Sequence, residues 1–402
     1  MILQILGFLR TIMLMAKLNS HYKKLRREYI FPIIEQKLAE LEGKVSLINL
    51  GIGDISLPLA PSVAQAIQGA VQEMTTSEGK RGYGPSEGYL FLREAIARHA
   101  YAHVGIAPDE IFISDGANTD TANIQEIFSS SVRLGIADPT YPVYLDTNIM
   151  AGRGKKITLL PCTEKSRFCP VPPGDRCDVI YLCTPGNPTG VAMTRKEMQA
   201  WVDYAHQEKA LLLIDNAYEA FVTSNDVPQT IFEIEGAKEV AIEFRSFSKS
   251  AGFTGLRCAY TVLPKQLHKG AIHALWKRRQ ATKSNGVAYP IQRGAEAVFS
   301  PQGHAETKAQ VATYQKAATI LRDGILKLGY TCWGGIDAPY IWWKTPKDLS
   351  SWEFFDQLLH RCHILAIPGR GFGEHGEGYV RLSTFTTPEM AQSANERLCA
   401  LC

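Results

Sequence analysis

The sequence has almost no surplus of charge of either sign. Lysine and arginine number 43 and aspartate and glutamate 40, a formal charge of +3. That balance excludes the basic face of a nucleic-acid binder or a membrane-surface protein and points to small-molecule partners. A disulfide framework is also missing. The nine cysteines, at 162, 169, 177, 183, 258, 332, 362, 399 and 402, are odd in number and irregularly spaced, so reduced thiols in a cytoplasmic protein are expected. Cys399 and Cys402 formally match both a C-x-x-C pair and a C-terminal prenylation box. No second ligand pair accompanies them, since His360, Cys362 and His363 fall in a helix-to-strand stretch, so a frayed helix end and no metal site are expected. No apolar run reaches the ~20 residues of a membrane-spanning helix. The opening from Met1 to Met15 is broken by Arg10 and has neither the charged start nor the small-residue cleavage site of a signal peptide. It reads as an amphipathic arm packing on a neighbour, or as extra sequence ahead of a natural start at Met15. Repeats, low-complexity tracts and flexible linkers are absent as well.

What is present is a chain of 402 residues, 45% hydrophobic, enough for a large core divided between two units. From about 105 to 263, β-branched runs alternate with helical patterns, which predicts an α/β unit built on a mostly parallel sheet. Strands are expected at 111–114, 134–137, 156–160, 179–183, 211–214, 240–246 and 259–262, with helices at 119–129 and 195–208. After Pro301 the pattern changes to a long amphipathic helix at 305–328, on which Ala309, Tyr314, Ala317, Leu321 and Ile325 recur at helical spacing. A smaller α+β unit follows, with strands near 340–343 and 379–383 and helices near 352–361 and 388–401. The expected organisation is an N-terminal arm and part of the small unit over 1–54, a large unit over 55–300, and the rest of the small unit over 301–402. A cleft between the two units is where a ligand would bind.

Five segments carry chemistry. In Ser246-Phe-Ser-Lys249-Ser-Ala-Gly-Phe-Thr-Gly-Leu-Arg257, a lysine at the end of a buried strand sits among small hydroxyl and glycine residues. Desolvation lowers a lysine's pKa and readies it for a Schiff base, while hydroxyls and an arginine suit a phosphate monoester. Leu211-Leu-Leu-Ile-Asp215 ends an apolar strand on a carboxylate, which needs a cationic partner such as a protonated pyridine nitrogen, unless it caps a helix. Tyr218 follows three residues later. Asn187, in the turn Cys183-Thr-Pro-Gly-Asn-Pro-Thr-Gly190, can donate to the same phenolic oxygen as Tyr218. Ser114-Asp-Gly116-Ala-Asn118 opens a helix whose free amides can hold phosphate. Tyr141, in Asp138-Pro-Thr-Tyr-Pro, can stack on a ring or serve as core. Gly371-Phe-Gly-Glu-His-Gly376 matches the dinucleotide fingerprint, but a strand follows it where that motif requires a helix, so it reads as a flexible loop leading to Arg381.

Taken together, these residues resemble the fold-type I aminotransferases of class I/II, from about Leu18 to the end of the chain. The resemblance implies pyridoxal 5′-phosphate carried by Lys249. Its phosphate would be held by the Ala117 and Asn118 backbone, Ser246, Ser248 and Arg257, and its ring by Tyr141, Asn187, Asp215 and Tyr218, with Asn285 a further cofactor contact. Lys249, Asp215 and Tyr141 would be catalytic, and Arg381 would grip the substrate α-carboxylate as a bidentate pair. Within the family, Tyr29-Ile-Phe-Pro, Leu50-Gly-Ile-Gly53-Asp, Gly82-Tyr83-Gly, Ser284-Asn285-Gly and Gly376-Glu-Gly-Tyr-Val-Arg381 are similar to the LL-diaminopimelate aminotransferases. That likeness implies substrate contacts from Tyr29, Gly53, Tyr83, Asn118, Tyr141, Asn187, Asn285 and Arg381, some of them across a homodimer interface. Asn118 stands where that branch has lysine, Ser86 where it has glutamate and Ser250 where it has tyrosine, so a broader amino-donor range, or a general aspartate- or aromatic-type aminotransferase, is the alternative. A transcription regulator built on such a domain would need a helix-turn-helix module and a basic face, and neither precedes Tyr29.

Overall fold

The computed structural model describes residues 17–25, 30–39 and 45–401. The opening segment to Met15 and Tyr29, expected to contact substrate, lie outside them, as does Cys402. The seven predicted strands are all present: β1 Ile111–Ser114, β2 Leu134–Asp138, β3 Ile157–Pro161, β4 Val179–Cys183, β5 Leu211–Asp215, β6 Ala241–Ser246 and β7 Ala259–Val262. They form one sheet in the order β1-β7-β6-β5-β4-β2-β3. β7 runs antiparallel to both its neighbours and every other pairing is parallel. The near-continuous apolar runs follow from burial of both sheet faces. Along β4 and β5, Ile180, Leu182, Leu212 and Ile214 enter one core, while Val179, Tyr181, Leu211 and Leu213 enter the core on the other side.

Helix Arg195–Glu208 lies where the sequence predicts, started by a Thr194/Glu197 capping box. The long helix begins earlier than its apolar stripe, at Pro301, because Ser300 caps it by accepting from the Gly303 amide and proline occupies its first position. The helix after β1 spans Ala117–Asn123 and tightens into a 3₁₀ turn at Ile124–Ile127, where one helix over 119–129 was expected. In the basic run Lys277-Arg278-Arg279, Lys277 pairs with Glu87 at 2.7 Å and Arg279 with Glu126 at 3.1 Å.

The C-terminal region forms an antiparallel sheet of β8 Cys332–Gly334, β9 Tyr340–Lys344, β10 Ile367–Pro368 and β11 Tyr379–Ser383, ordered β10-β11-β9-β8. Its core includes Trp343, Phe354, Leu358, Val380 and Leu382. The N-terminal residues Ile48 and Asn49 pair in parallel with Ile364 and Leu365, and the Ser383 amide donates to the Leu50 carbonyl at 2.6 Å. Chain from both ends therefore packs together there. Among the described residues no helix is long and apolar enough to cross a membrane.

Candidate active site

In a parallel sheet every strand delivers its last residue to the same edge, which is where ligands bind. Here that edge carries Ser114, Asp138, Cys183, Asp215 and Ser246. Against it the C-terminal sheet places Tyr340 and Arg381, and a cleft of about 880 Å³ lies between. Lys249, Asp215, Tyr141, Ala117, Asn118, Asn187, Tyr218, Ser246, Ser248, Arg257, Gly53 and Arg381 all line it, so twelve residues scattered from Gly53 to Arg381 meet in one place.

Lys249 sits in the single turn Phe247–Ser250, which Ser246 caps by accepting from the Ser248 amide at 3.1 Å. Ser250, at one of the departing positions, donates to the Ser246 carbonyl at 3.2 Å and braces the same turn. The lysine Nζ donates to the Gly53 carbonyl and lies 5.2 Å from the Phe385 ring centre. Burial brings its pKa down to about 8; Arg381 and Arg257 push the same way and Asp54 opposes them. An amine-selective acylating reagent is therefore expected to label Lys249 with a midpoint near pH 8, against roughly 10.4 for an ordinary lysine; a midpoint above 10, read by mass spectrometry of the labelled peptide, would contradict this.

Asp215 is 9% exposed. Its Oδ2 accepts from the Tyr144 hydroxyl, while Oδ1 has no partner among the described residues. Burial raises its pKa to about 6, against the hydrogen bonds of Tyr144 and the Ala217 amide. Asn187 Nδ2 donates to Tyr218 Oη at 3.4 Å, and Tyr218 Oη and Tyr340 Oη are hydrogen-bonded at 3.1 Å, with either as donor. Arg381 donates through Nη1 to Asn187 Oδ1 and through Nη2 to the Gly51 carbonyl, both at 2.8 Å. Its guanidinium lies between the rings of Tyr340 at 4.5 Å and Phe372 at 4.8 Å. Tyr141 donates to Asn118 Oδ1 at 2.9 Å.

Arg257 holds a left-handed backbone, φ +61°, and donates from Nη1 to the Thr254 carbonyl at 3.2 Å and to Ser248 Oγ at 3.5 Å. Gly116 approaches so closely that a Cβ there would collide with Arg257 Nη2. Gly53 is equally constrained, since a Cβ would strike Tyr340 Oη. Two predicted residues that the structure describes are not in this cleft. Tyr83 is 90% exposed and Asn285 is exposed, neither lines the cleft, and Tyr29 is outside the described residues. Ser86 Oγ donates to its neighbour Glu87 at 3.0 Å.

Sequence reasoning missed Tyr144, Tyr340 and Phe372, which complete the walls, and Phe385, whose ring lies near the Lys249 amine. The signal for Tyr144 was available: it lies three residues into the helix Pro142–Met150 that follows Tyr141, on the side facing the sheet. The segment before β11, read as a flexible loop, is instead two compact 3₁₀ turns, Gly369–Phe372 and Glu374–Gly376, with Gly369, Phe372 and Gly376 buried. Glycines that signal freedom in isolation serve here for close backbone approach, since Gly369 and Gly376 face each other with no room for a Cβ on either.

The residues fit pyridoxal phosphate. The unpartnered Asp215 Oδ1 is where a protonated ring nitrogen is needed, Asn187 and Tyr218 present donors for a phenolate oxygen, and Arg257, Ser246, Ser248 and the first helix amides after Gly116 converge as a phosphate cup.

Residues 45–398 match the family described as aminotransferase class I and II. The chain is 45% identical to the LL-diaminopimelate aminotransferase of Methanosphaera stadtmanae, covering 96% of this chain and 99% of that one. It is 48% identical to the enzyme of the same name from Desulforapulum autotrophicum, over 96% and 98%. Among solved structures it is similar to the L,L-diaminopimelate aminotransferase of Chlamydomonas reinhardtii, with a TM-score of 0.90, 40% identity, and 96% and 98% of the two chains covered.

Proposed function

The chain belongs to the class I and II aminotransferases, and from that premise we propose that it converts LL-2,6-diaminopimelate and 2-oxoglutarate to tetrahydrodipicolinate and glutamate, a step of lysine and cell-wall precursor formation. One observation carries the reading: near-complete coverage, at 45–48% identity, of relatives bearing that activity. The enzyme uses pyridoxal 5′-phosphate, which supplies an aldehyde carbon that bonds amines and a ring that takes up the charge left when an α-proton departs.

The chain's own residues do the rest. Lys249 would hold the cofactor and, when freed and neutral, take the α-proton of the substrate and return it as general base and acid. With a pKa of about 8 it exchanges protons readily near neutral pH. Asp215 would keep the ring nitrogen protonated by placing a buried negative charge beside it. Asn187 and Tyr218 would fix the ring in its plane and Tyr141 would cover one face. Arg381 would orient the substrate so that its α-hydrogen faces Lys249; a planar guanidinium between two aromatic rings has no freedom to present its fork elsewhere. Arg381→Lys is expected to raise KM for amino donor and keto acid alike by about tenfold or more, because a point charge cannot form the bidentate pair. An unchanged KM for both in steady-state kinetics would remove Arg381 from this role.

We further propose a homodimer in the cytoplasm. Support for the dimer is the pair of substrate candidates Tyr83 and Asn285, both exposed and outside this chain's cleft, where they can complete a partner's site. Support for the compartment is that all eight described cysteines are free. A panel of amino donors with 2-oxoglutarate tests the substrate. Turnover is expected with LL-diaminopimelate and weakly, if at all, with the meso isomer. Equal rates for both would sink the stereospecific assignment, and fast turnover of aspartate or an aromatic amino acid with none of diaminopimelate would replace it by a general aminotransferase.

A further inference from the structure

Asp138 is a buried carboxylate that the chemistry above does not use. It ends β2, is 2% exposed, and does not line the cleft. Its Oδ2 meets His375 Nδ1 at 2.9 Å, while Oδ1 has no hydrogen-bond partner among the described residues. A carboxylate held this way is costly, so its place calls for a reason beyond stability.

The reason lies in what the contact joins. His375 belongs to the pair of 3₁₀ turns between β10 and β11, and the same segment carries Phe372, one of the two rings enclosing Arg381. The Phe372 carbonyl accepts from the Thr140 amide at 3.0 Å, two residues after Asp138 and one before Tyr141. Gly373 is pressed against the same carboxylate, since a Cβ there would collide with Asp138 Oδ1. The backbone carbonyl of Asp138 is in turn fixed by the Cys162 amide at 2.8 Å. One buried group thus ties the end of β2 to the turn that backs the arginine.

We infer that Asp138 and His375 are positioning residues for substrate-carboxylate binding: their contact seats Phe372 against Arg381 and fixes the spacing between Arg381 and the strand end that carries Tyr141. The inference rests on the reading of Arg381 as the carboxylate residue. Loosening a group that grips ground state and transition state alike weakens binding without disabling the proton-transfer group. Neither Asp138 nor His375 touches the reacting atoms, so the loss should fall on KM.

The test is steady-state kinetics on the full-length, cofactor-loaded enzyme. His375→Ala, and independently Gly373→Ala, is expected to raise KM for both donor and keto acid about tenfold while kcat stays within about threefold and the visible spectrum of the bound cofactor is unchanged. His375→Asn, whose amide N–H can occupy the place of Nδ1, should return KM to within about threefold of wild type. KM values within about twofold of wild type in both alanine variants overturn the inference, as does a fall in kcat as large as the rise in KM. Arg381→Lys run alongside separates the two claims. A raised KM there with unchanged alanine variants sinks only the positioning role, whereas an unchanged KM there sinks the reading of Arg381 first.

Discussion

Lys249→Ala enzyme loaded with pyridoxal phosphate should transaminate at least about 10⁴-fold more slowly than wild type, the scale of a lost general base with the covalent attachment lost as well. Among the described residues no other lysine lines the cleft, whose remaining cations are Arg257 and Arg381, and a guanidinium is not a proton-accepting side chain. The fold should not suffer, because among the described residues the amine's one hydrogen bond is to the Gly53 carbonyl. Cofactor affinity through the cup of Arg257, Ser246 and Ser248 should persist, so the variant remains loadable but inactive. Residual activity within tenfold of wild type would show that another group moves the proton.

Asp215→Asn should lower kcat by two to three and a half orders of magnitude, from the roughly 3–5 kcal/mol that removing one partner of a buried ion pair costs. A second effect has the opposite sign and isolates the cause. In the cofactor-free protein, burial holds the Asp215 pKa at about 6 instead of 3.8. Between those values the folded state binds more protons than the unfolded state, so stability falls as pH rises through that window and stays reduced above it. Cofactor-free Asp215→Asn should therefore melt above the cofactor-free wild type at pH 8, by an amount reflecting at most about 3 kcal/mol, and the gap should close below pH 4. With cofactor bound the order should reverse, because the wild-type charge then has its partner. Thermal melts of both proteins, with and without cofactor, at pH 4 and pH 8 check it. Equal melting temperatures in all four comparisons would mean that the carboxylate neither costs stability nor repays it to the ring.

Much of this was legible in the sequence, and unevenly so. The large sheet could be read because its strands are apolar on both faces and end on residues that make no sense in a core: Asp215 after four aliphatics, Ser246 before Lys249. The helices Pro61–Glu73, Leu90–Ala100 and Tyr289–Ala297 were not read, because their alanines and glycines blur the apolar stripe and tertiary packing supplies the selection that propensity does not. The residues proposed to hold the ring were legible because each lies at or shortly after a strand end. Tyr340 and Phe372 were not, since nothing local says that a tyrosine starting one C-terminal strand and a phenylalanine in a glycine-rich turn will enclose Arg381. Tyr83 and Asn285 show the converse: the resemblance named them, yet within one chain they face outward, so their assignment depends on a second subunit that no local pattern describes.

The most direct test of the central claim is to incubate the protein with pyridoxal phosphate, reduce it with borohydride and map the fixed adduct by peptide mass spectrometry. The account predicts one phosphopyridoxyl group per chain, on Lys249 and on no other lysine, with the visible absorbance lost on reduction. Protein that stays colourless and unlabelled, or that carries the group on a different lysine, would contradict it.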